Sequence, residues 1–192
     1  LNTDQLNQIT SAGVNPSYAD DDGSYNTRFQ NDSTYSGTTT APQTFAAGSG
    51  NGLYTATVGV STGTNTARAA LVYYSGTGLY YTYATNDDNT AWSTPVALDT
   101  NVGGDYVNMV ADKDNHIHIA YQDSFAGDVK YIYMPAYNAP ASRKLVVVDS
   151  YLTVGGKLTL TVAPGTNTPY ITYKGLGNTA KAAWYKANSG TP

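Results

Sequence analysis

The two histidines of the chain, His116 and His118, stand two residues apart and directly follow Asp112-Lys113-Asp114-Asn115. On an extended strand such a pair projects from one face. Both rings can then meet a single ion, with Asp112 or Asp114 completing the ligand set. The same turn, and Asp20-Asp21-Asp22-Gly23, cluster the oxygen ligands that calcium takes. Asp20, Asp22, Asp112 and Asp114 are therefore the candidate metal ligands, and calcium is the one cofactor the loops suit. Neither loop has the full EF-hand spacing. A hydrated turn accounts for the same residues, because Asp and Asn side chains bond their own turn backbone.

Acid–base chemistry on a glycoside would need two carboxylates facing each other at about 5–10 Å. All 14 acidic residues are Asp, and most fall in turns, where backbone hydrogen bonding explains them. With no Cys there is no disulfide, thiolate metal site or thiol nucleophile. The expectation leans away from an enzyme.

The elements that position these residues are strands. Tyr (18 residues), Thr, Asn, Gly and Ala dominate the composition, and charged residues make up only 12%. Tyr suits half-buried sheet positions because it pairs an apolar ring with a polar tip. No segment carries a sustained 3.6-residue period, so essentially no helix is expected beyond a short turn near Thr3 to Gln8.

The strands recur in a common order. Asp105 to Ser150 divides into strands Tyr106–Ala111, His116–Gln122, Val129–Met134 and Lys144–Asp149. Leu53 to Thr100 repeats the pattern, with ALVYY from Ala70 matching HIAYQ, YTYA from Tyr81 matching YIYM, and VALDT from Val96 matching VVVDS. From Lys157, ITYK and AKAAWY match IAYQ and VKYIY. A weaker copy spans Leu6 to Phe45. Repeats at about 6–45, 53–100, 105–150 and 157–186 give a period near fifty residues. Four short strands at that period are the spacing of β-propeller blades, whose sheets bury their faces by stacking on neighbours. The expected fold is all-β, a β-propeller of about four four-stranded blades over residues 1–192, or a fragment of a larger propeller. On this reading the first copy opens on its innermost strand and the last stops after its third, so a second chain or self-association completing the ring is a candidate partner.

TNDDNTAW, Thr85 to Trp92, resembles the Asp-box of bacterial neuraminidase repeats, Ser-x-Asp-x-Gly-x-Thr-Trp. Thr85 stands for the Ser, Asp87 for the Asp, Asn89 for the Gly, Ala91 for the Thr and Trp92 for the Trp. In that family the box lies between the third and fourth strands of a blade, which is its place here. DKDNHIHIAYQD followed by GDVKYIY also resembles repeats of sialidase-like propellers on bacterial surfaces. Physically the box is a folding device: Asp87 is expected to accept turn N–H groups, Asn89 to adopt the left-handed conformation, and Trp92 to pack into a seam between blades. Sialidase activity is a different matter. It would need three converging Arg and a Tyr nucleophile assisted by Glu. Arg28, Arg68 and Arg143 fall on unrelated strands, and the chain has no Glu.

In ligand-binding propellers the loops between blades and between strands two and three form the usual binding face. Those loops place Tyr54, Asp105, Tyr106, Gln122, Asp123, Lys157 and Lys174 as candidate ligand-binding residues. Tyr rings stack on sugar faces and carboxylates accept from hydroxyls, so a glycan or a surface protein is the expected partner. Ten scattered Lys and Arg against a net charge of -4 argue against nucleic acid. No apolar run reaches the ~20 residues of a membrane span. The low-charge, Asn-, Thr- and Tyr-rich composition leads to an expectation of an extracellular or cell-surface setting. The functional expectation is a non-catalytic recognition protein. The alternatives are an assembly component of a surface appendage, or a glycoside hydrolase whose catalytic residues lie on further blades.

Overall fold

Alternating runs of Tyr, Val, Ile and Thr broken by Asn-, Asp- and Gly-containing turns dictate hairpins, and hairpins are what the chain forms. A computed structural model describes residues 17–19, 27–29, 43–46, 54–63, 66–104, 106–150, 155–175, 177 and 179–184. The described residues are all-β, with a 3-10 turn at Pro140–Ser142 and no α-helix. Two units divide the chain, Leu1–Thr100 and Asn101–Pro192.

In the first unit, β1 (Ser17–Ala19), β2 (Thr27–Phe29) and β3 (Gln43–Ala46) form a three-stranded antiparallel sheet. β4 (Thr55–Gly63), β5 (Thr66–Ser75), β6 (Gly78–Tyr83) and β7 (Val96–Thr100) form a four-stranded one, in chain order. Ala69 to Tyr74 of β5 are buried without interruption. Continuous rather than alternating burial means that both faces of this strand are covered. A two-residue hairpin, Gly76-Thr77, turns β5 into β6 with Gly76 at φ 59, the left-handed backbone that such turns require.

The second unit repeats the plan. β8 (Val107–Ala111), β9 (Ile117–Asp123), β10 (Asp128–Met134) and β11 (Lys144–Asp149) form a four-stranded meander; β12 (Gly155–Val162), β13 (Pro169–Lys174) and β14 (Ala180–Trp184) form a three-stranded one. The core of this unit joins the two sheets. Ala120, Val129 and Tyr131 meet Leu158, Leu160, Ile171 and Tyr173. In this unit the strands fall within a residue or two of those expected, with His116 just before β9 instead of inside it; in the first unit β5 and β6 begin at Thr66 and Gly78, ahead of the expected Ala70 and Tyr81.

Two registers recur. The second-strand Tyr of each copy pairs with one position of the next strand: Tyr18 with Arg28, Tyr73 with Tyr80, Tyr121 with Lys130, and Tyr173 with Lys181. Immediately before that position the ladder to the following strand slips by one residue, between Thr27 and Arg28, Leu79 and Tyr80, and Val129 and Lys130. The residue skipped is apolar each time, Phe45, Leu98 or Val148. A bulge of this kind twists the outer strand and re-aims one side chain. Leu98 is buried and Val148 packs against the second unit's core. The expected short turn near Thr3 to Gln8 and the expected innermost strand of the first copy lie outside the described residues. So does anything beyond Trp184. Among the described residues no helix is long and apolar enough to cross a membrane.

Candidate functional site

The turn between β8 and β9 gathers the residues with the most chemistry. Asn115 takes a left-handed φ of 63, and the chain reverses so that Asp112 points back under its own turn. The Asp112 side chain is fully buried. Its Oδ1 accepts the backbone N–H groups of Asp114 and His116, both at 2.9 Å. Its Oδ2 lies 2.8 Å from His116 Nδ1 and 3.2 Å from His118 Nε2. Burial alone would raise the Asp112 pKa. The hydrogen bonds from His118, His116 and the two backbone groups outweigh it and hold the carboxyl below its usual range.

His118 is buried on β9, directly across from Tyr133 of β10. Burial lowers its pKa against the opposing pull of Asp112, so the ring is neutral near pH 7. Its Nε2–H then donates to Asp112, and Nδ1 accepts from the Tyr131 hydroxyl at 2.6 Å. Tyr133 packs across both imidazoles, with ring centroids 5.5 and 5.6 Å away. Asp112, Asp114 and His116 together could offer ligand atoms within 4.8 Å of one another. The donor set does not suit calcium, which wants six or more oxygens. Asp112 is already surrounded by four donors, and Asp114 accepts from Lys113 and from Asn167. These bonds hold the Asp114 pKa down, with Lys113 the larger influence. The cluster therefore reads as a hydrogen-bonded turn lock.

Other acidic residues are spent the same way. Asp123 is buried, accepting from Lys130 Nζ at 2.8 Å and from the Phe125 and Ala126 backbone. Asp149 accepts from Lys181 Nζ at 2.7 Å and from the Tyr173 hydroxyl at 3.0 Å. Asp87 takes Arg68 Nε at 2.8 Å.

The Thr85–Trp92 turn is equally self-contained. Asn89 is left-handed, φ 54, and its Oδ1 accepts the buried Ala69 N–H of β5 at 2.7 Å. Trp92 Nε1 donates to the Asn89 carbonyl at 3.0 Å, and its ring meets Phe45 of β3 edge-on, centroids 4.7 Å apart. Thr85 N–H closes the loop on the Ala91 carbonyl. The expected role of Asp87 needs correction. Asn86 Oδ1, not Asp87, accepts the turn N–H groups of Thr90 and Ala91, each at 3.0 Å. Asp87 faces Arg68 because its position in the turn turns its carboxylate outward, toward β5.

Of the expected ligand residues, Lys157 and Lys174 come together. They line an open groove of about 330 Å³ with Thr172, Tyr173, Thr179 and Lys181. The β12–β13 register slips between Gly155 and Thr159, and Lys157 lies in that slip at φ 55. Tyr54 and Tyr106 are half-buried, their carbonyls accepting the N–H of Tyr74 and Gln122. Gln122 is half-buried in β9, and Asp123 is withdrawn into its turn. Asp105, Asp20 and Asp22 lie outside the described residues. Sequence reasoning missed Tyr131, Asn86 and Lys181. The i, i+2 spacing of Tyr131 and Tyr133 across from His118 was the available signal for the first.

No protein-family model matches the chain, and no curated protein matches it.

Proposed function

We propose that the chain is a non-catalytic, extracellular recognition module whose repeated sheets are the blades of a β-propeller, and that its ligand is a glycan. The observation that carries the non-catalytic part is the fate of the carboxylates. Asp87, Asp112, Asp123 and Asp149 each accept from a cationic or imidazole side chain of the same unit. A general acid and base must be aimed at open space; these are aimed at the fold. The propeller reading is supported by the recurring Tyr register and the recurring bulge, since equal sheets with equal seams are what stacking around an axis requires. The Asp-box-like turn supports it too, because Trp92 reaches from one sheet to the next. The groove lined by Lys157, Tyr173 and Lys174 offers amines, hydroxyls and an aromatic edge to a saccharide.

A glycan array tests binding and a glycoside hydrolysis panel tests catalysis. Reproducible saccharide binding without turnover is the expected result; turnover of any glycoside sinks the non-catalytic reading, and silence across the array sinks the glycan. A second reading, an assembly component completed by another chain, is favoured by one observation. Among the described residues β14 has no neighbour on its outer side, where β6 and β10 each have one. A stable monomer with a sharp unfolding transition at micromolar concentration would count against it.

A further inference from the structure

The cationic side chains are distributed unevenly between structural and free roles. Arg68, Lys113, Lys130 and Lys181 are each paired with an Asp, and Arg143 donates to the Pro140 carbonyl. Of the cationic side chains that the structure describes, those of Lys144, Lys157 and Lys174 make no hydrogen bond or ion pair. Two of the three line the same groove. In a chain of net charge -4 acids are plentiful, yet among the described residues no acid is bonded to either lysine of this pair.

Backbone conformation singles out the same place. Lys157 is held at φ 55, a region that costs an L-residue with a β-carbon and that glycine would occupy without strain. Gly155 and Gly156 immediately precede it, so the slip in register sits beside glycines and still keeps the side chain on a strained backbone. Slips of this kind re-aim a side chain next to binding sites. The third lysine of the groove does not add free charge, because Lys181 is bonded to Asp149. Tyr173 donates to the same carboxylate, and burial followed by that bond pushes its pKa up to about 12. Its hydroxyl is therefore uncharged at neutral pH, and the groove keeps the two positive charges of Lys157 and Lys174.

We infer that this groove is an anion-binding subsite, with the ammonium groups of Lys157 and Lys174 holding a sulfate ester or carboxylate of an acidic saccharide. The inference rests on the recognition reading above and deepens it. Ammonium groups act as point charges on a flexible stem and need no bidentate geometry, so either anion is accommodated. Thr172 and Thr179 at the groove supply hydroxyls for the neighbouring sugar oxygens.

The test is calorimetric titration of the full chain with a heparin octasaccharide, a polygalacturonate oligomer and a neutral cello-oligosaccharide. Binding of at least one acidic probe is expected, weakening as sodium chloride rises because charge contacts at the surface are screened. Lys157→Gln and Lys174→Gln should each weaken it about tenfold, the loss of roughly one charge-assisted contact. Lys144→Gln, which removes the other unpartnered lysine among the described residues, from a different sheet, should leave it unchanged. Circular dichroism checks that each variant folds. Equal weakening by all three variants shows a general charge effect and overturns the subsite. Binding of the neutral oligosaccharide alone, indifferent to Lys157→Gln and Lys174→Gln, overturns the anion inference and leaves glycan recognition standing. No binding by any of the three probes, nor by any array saccharide, overturns both.

Discussion

Replacing Asp112 tests whether the histidine turn is a structural lock, and the size of the effect follows from its four donors. Asp112→Ala strips the acceptor from Asp114 N–H, His116 N–H, His116 Nδ1 and His118 Nε2. The two backbone groups and His116 lie near the surface of an open turn and regain water, so their loss is partly repaid. His118 is buried and does not. A buried donor left without its charged acceptor costs about 1–3 kcal/mol, and losing the remaining charge-assisted bonds brings the total to about 3–5 kcal/mol. Asp112→Asn behaves differently. Its amide oxygen still accepts the two backbone N–H groups, and its NH₂ is accommodated if His118 shifts its proton to Nδ1 and donates to the Tyr131 oxygen. That rearrangement exchanges a charged acceptor for a neutral one, a cost of about 1–2 kcal/mol. Urea unfolding followed by far-UV circular dichroism reads both. With a slope of about 2 kcal/mol/M the alanine midpoint falls by roughly 1.5–2.5 M and the asparagine midpoint by less than about 1 M. An alanine variant within about 1 kcal/mol of the parent, or an asparagine variant as damaged as the alanine, refutes the lock.

Further predictions follow from the same contacts. The His118 pKa is depressed by burial from its ordinary 6.5; the unfolded chain binds a proton that the folded chain refuses, so stability is full above about 6.5 and is lost as pH falls. Asp112, also depressed, adds a second loss below about pH 4, and His118→Gln should remove the first step in a pH series of thermal midpoints while leaving the second. Tyr73 and Tyr173 are both raised to about 12 by burial first, so stability is complete below pH 10 and declines as pH climbs toward 12; tyrosinate absorbance should show these two titrating only with unfolding. Asn89→Gly keeps the left-handed turn but leaves Ala69 N–H without its acceptor, costing about 1–3 kcal/mol, and Asn89→Ala should cost about 1 kcal/mol more for the strained backbone; equal melting temperatures would show that φ is not what selects Asn there. Lys157→Gly should raise stability by about 0.5–1 kcal/mol, strain relief less the extra freedom of glycine in the unfolded chain, with loss of stability counting against strain at that residue.

The strands were legible because their signal is local. Tyr, Val and Ile in short runs bounded by Asn, Asp and Gly turns gave β9, β10 and β11 nearly to the residue, while β5 and β13 were found by their centres but start earlier, at Thr66 and Pro169; Asn89 was legible as a left-handed position. Side-chain partners across strands were not, because a hydrogen bond between residues far apart in sequence depends on register. His118 and Tyr131 are 13 positions apart. Nothing in the spacing of His116 and His118 says that they converge on a carboxylate rather than on an ion. The Asp87 expectation failed for a smaller reason. Asn86 and Asp87 are adjacent acceptors in one turn, Asn86 taking the turn N–H groups and Asp87 taking Arg68, and adjacency in sequence does not distinguish them. Lys157 and Lys174 were placed together by loop counting, while the backbone strain at Lys157 left no mark in composition.

The repeat separates what is held constant from what is free to vary. A second-strand Tyr and an apolar bulge residue recur from sheet to sheet, and these are the positions that set register and seam. The position opposite the Tyr does not recur: it is Arg28, Tyr80, Lys130 or Lys181. Where it is lysine, its partner also differs. Lys130 reaches Asp123 at the hairpin of its own sheet, whereas Lys181 reaches Asp149 on the sheet before. Asp123 corresponds in the repeat to the residue after Lys174, which is Gly175, so the carboxylate that neutralises the hairpin in one copy is absent in the other. A β-carbon at Gly175 would come within 2.7 Å of the Thr179 hydroxyl and 2.8 Å of Lys181 Cε, so an aspartate there requires both side chains to shift. In this copy the lysine opposite the Tyr is met by Asp149 instead, and Gly175→Asp is expected to push the Thr179 and Lys181 side chains aside and bring a carboxylate to the groove, weakening acidic-saccharide binding; unchanged binding by a folded Gly175→Asp variant would count against the charge argument.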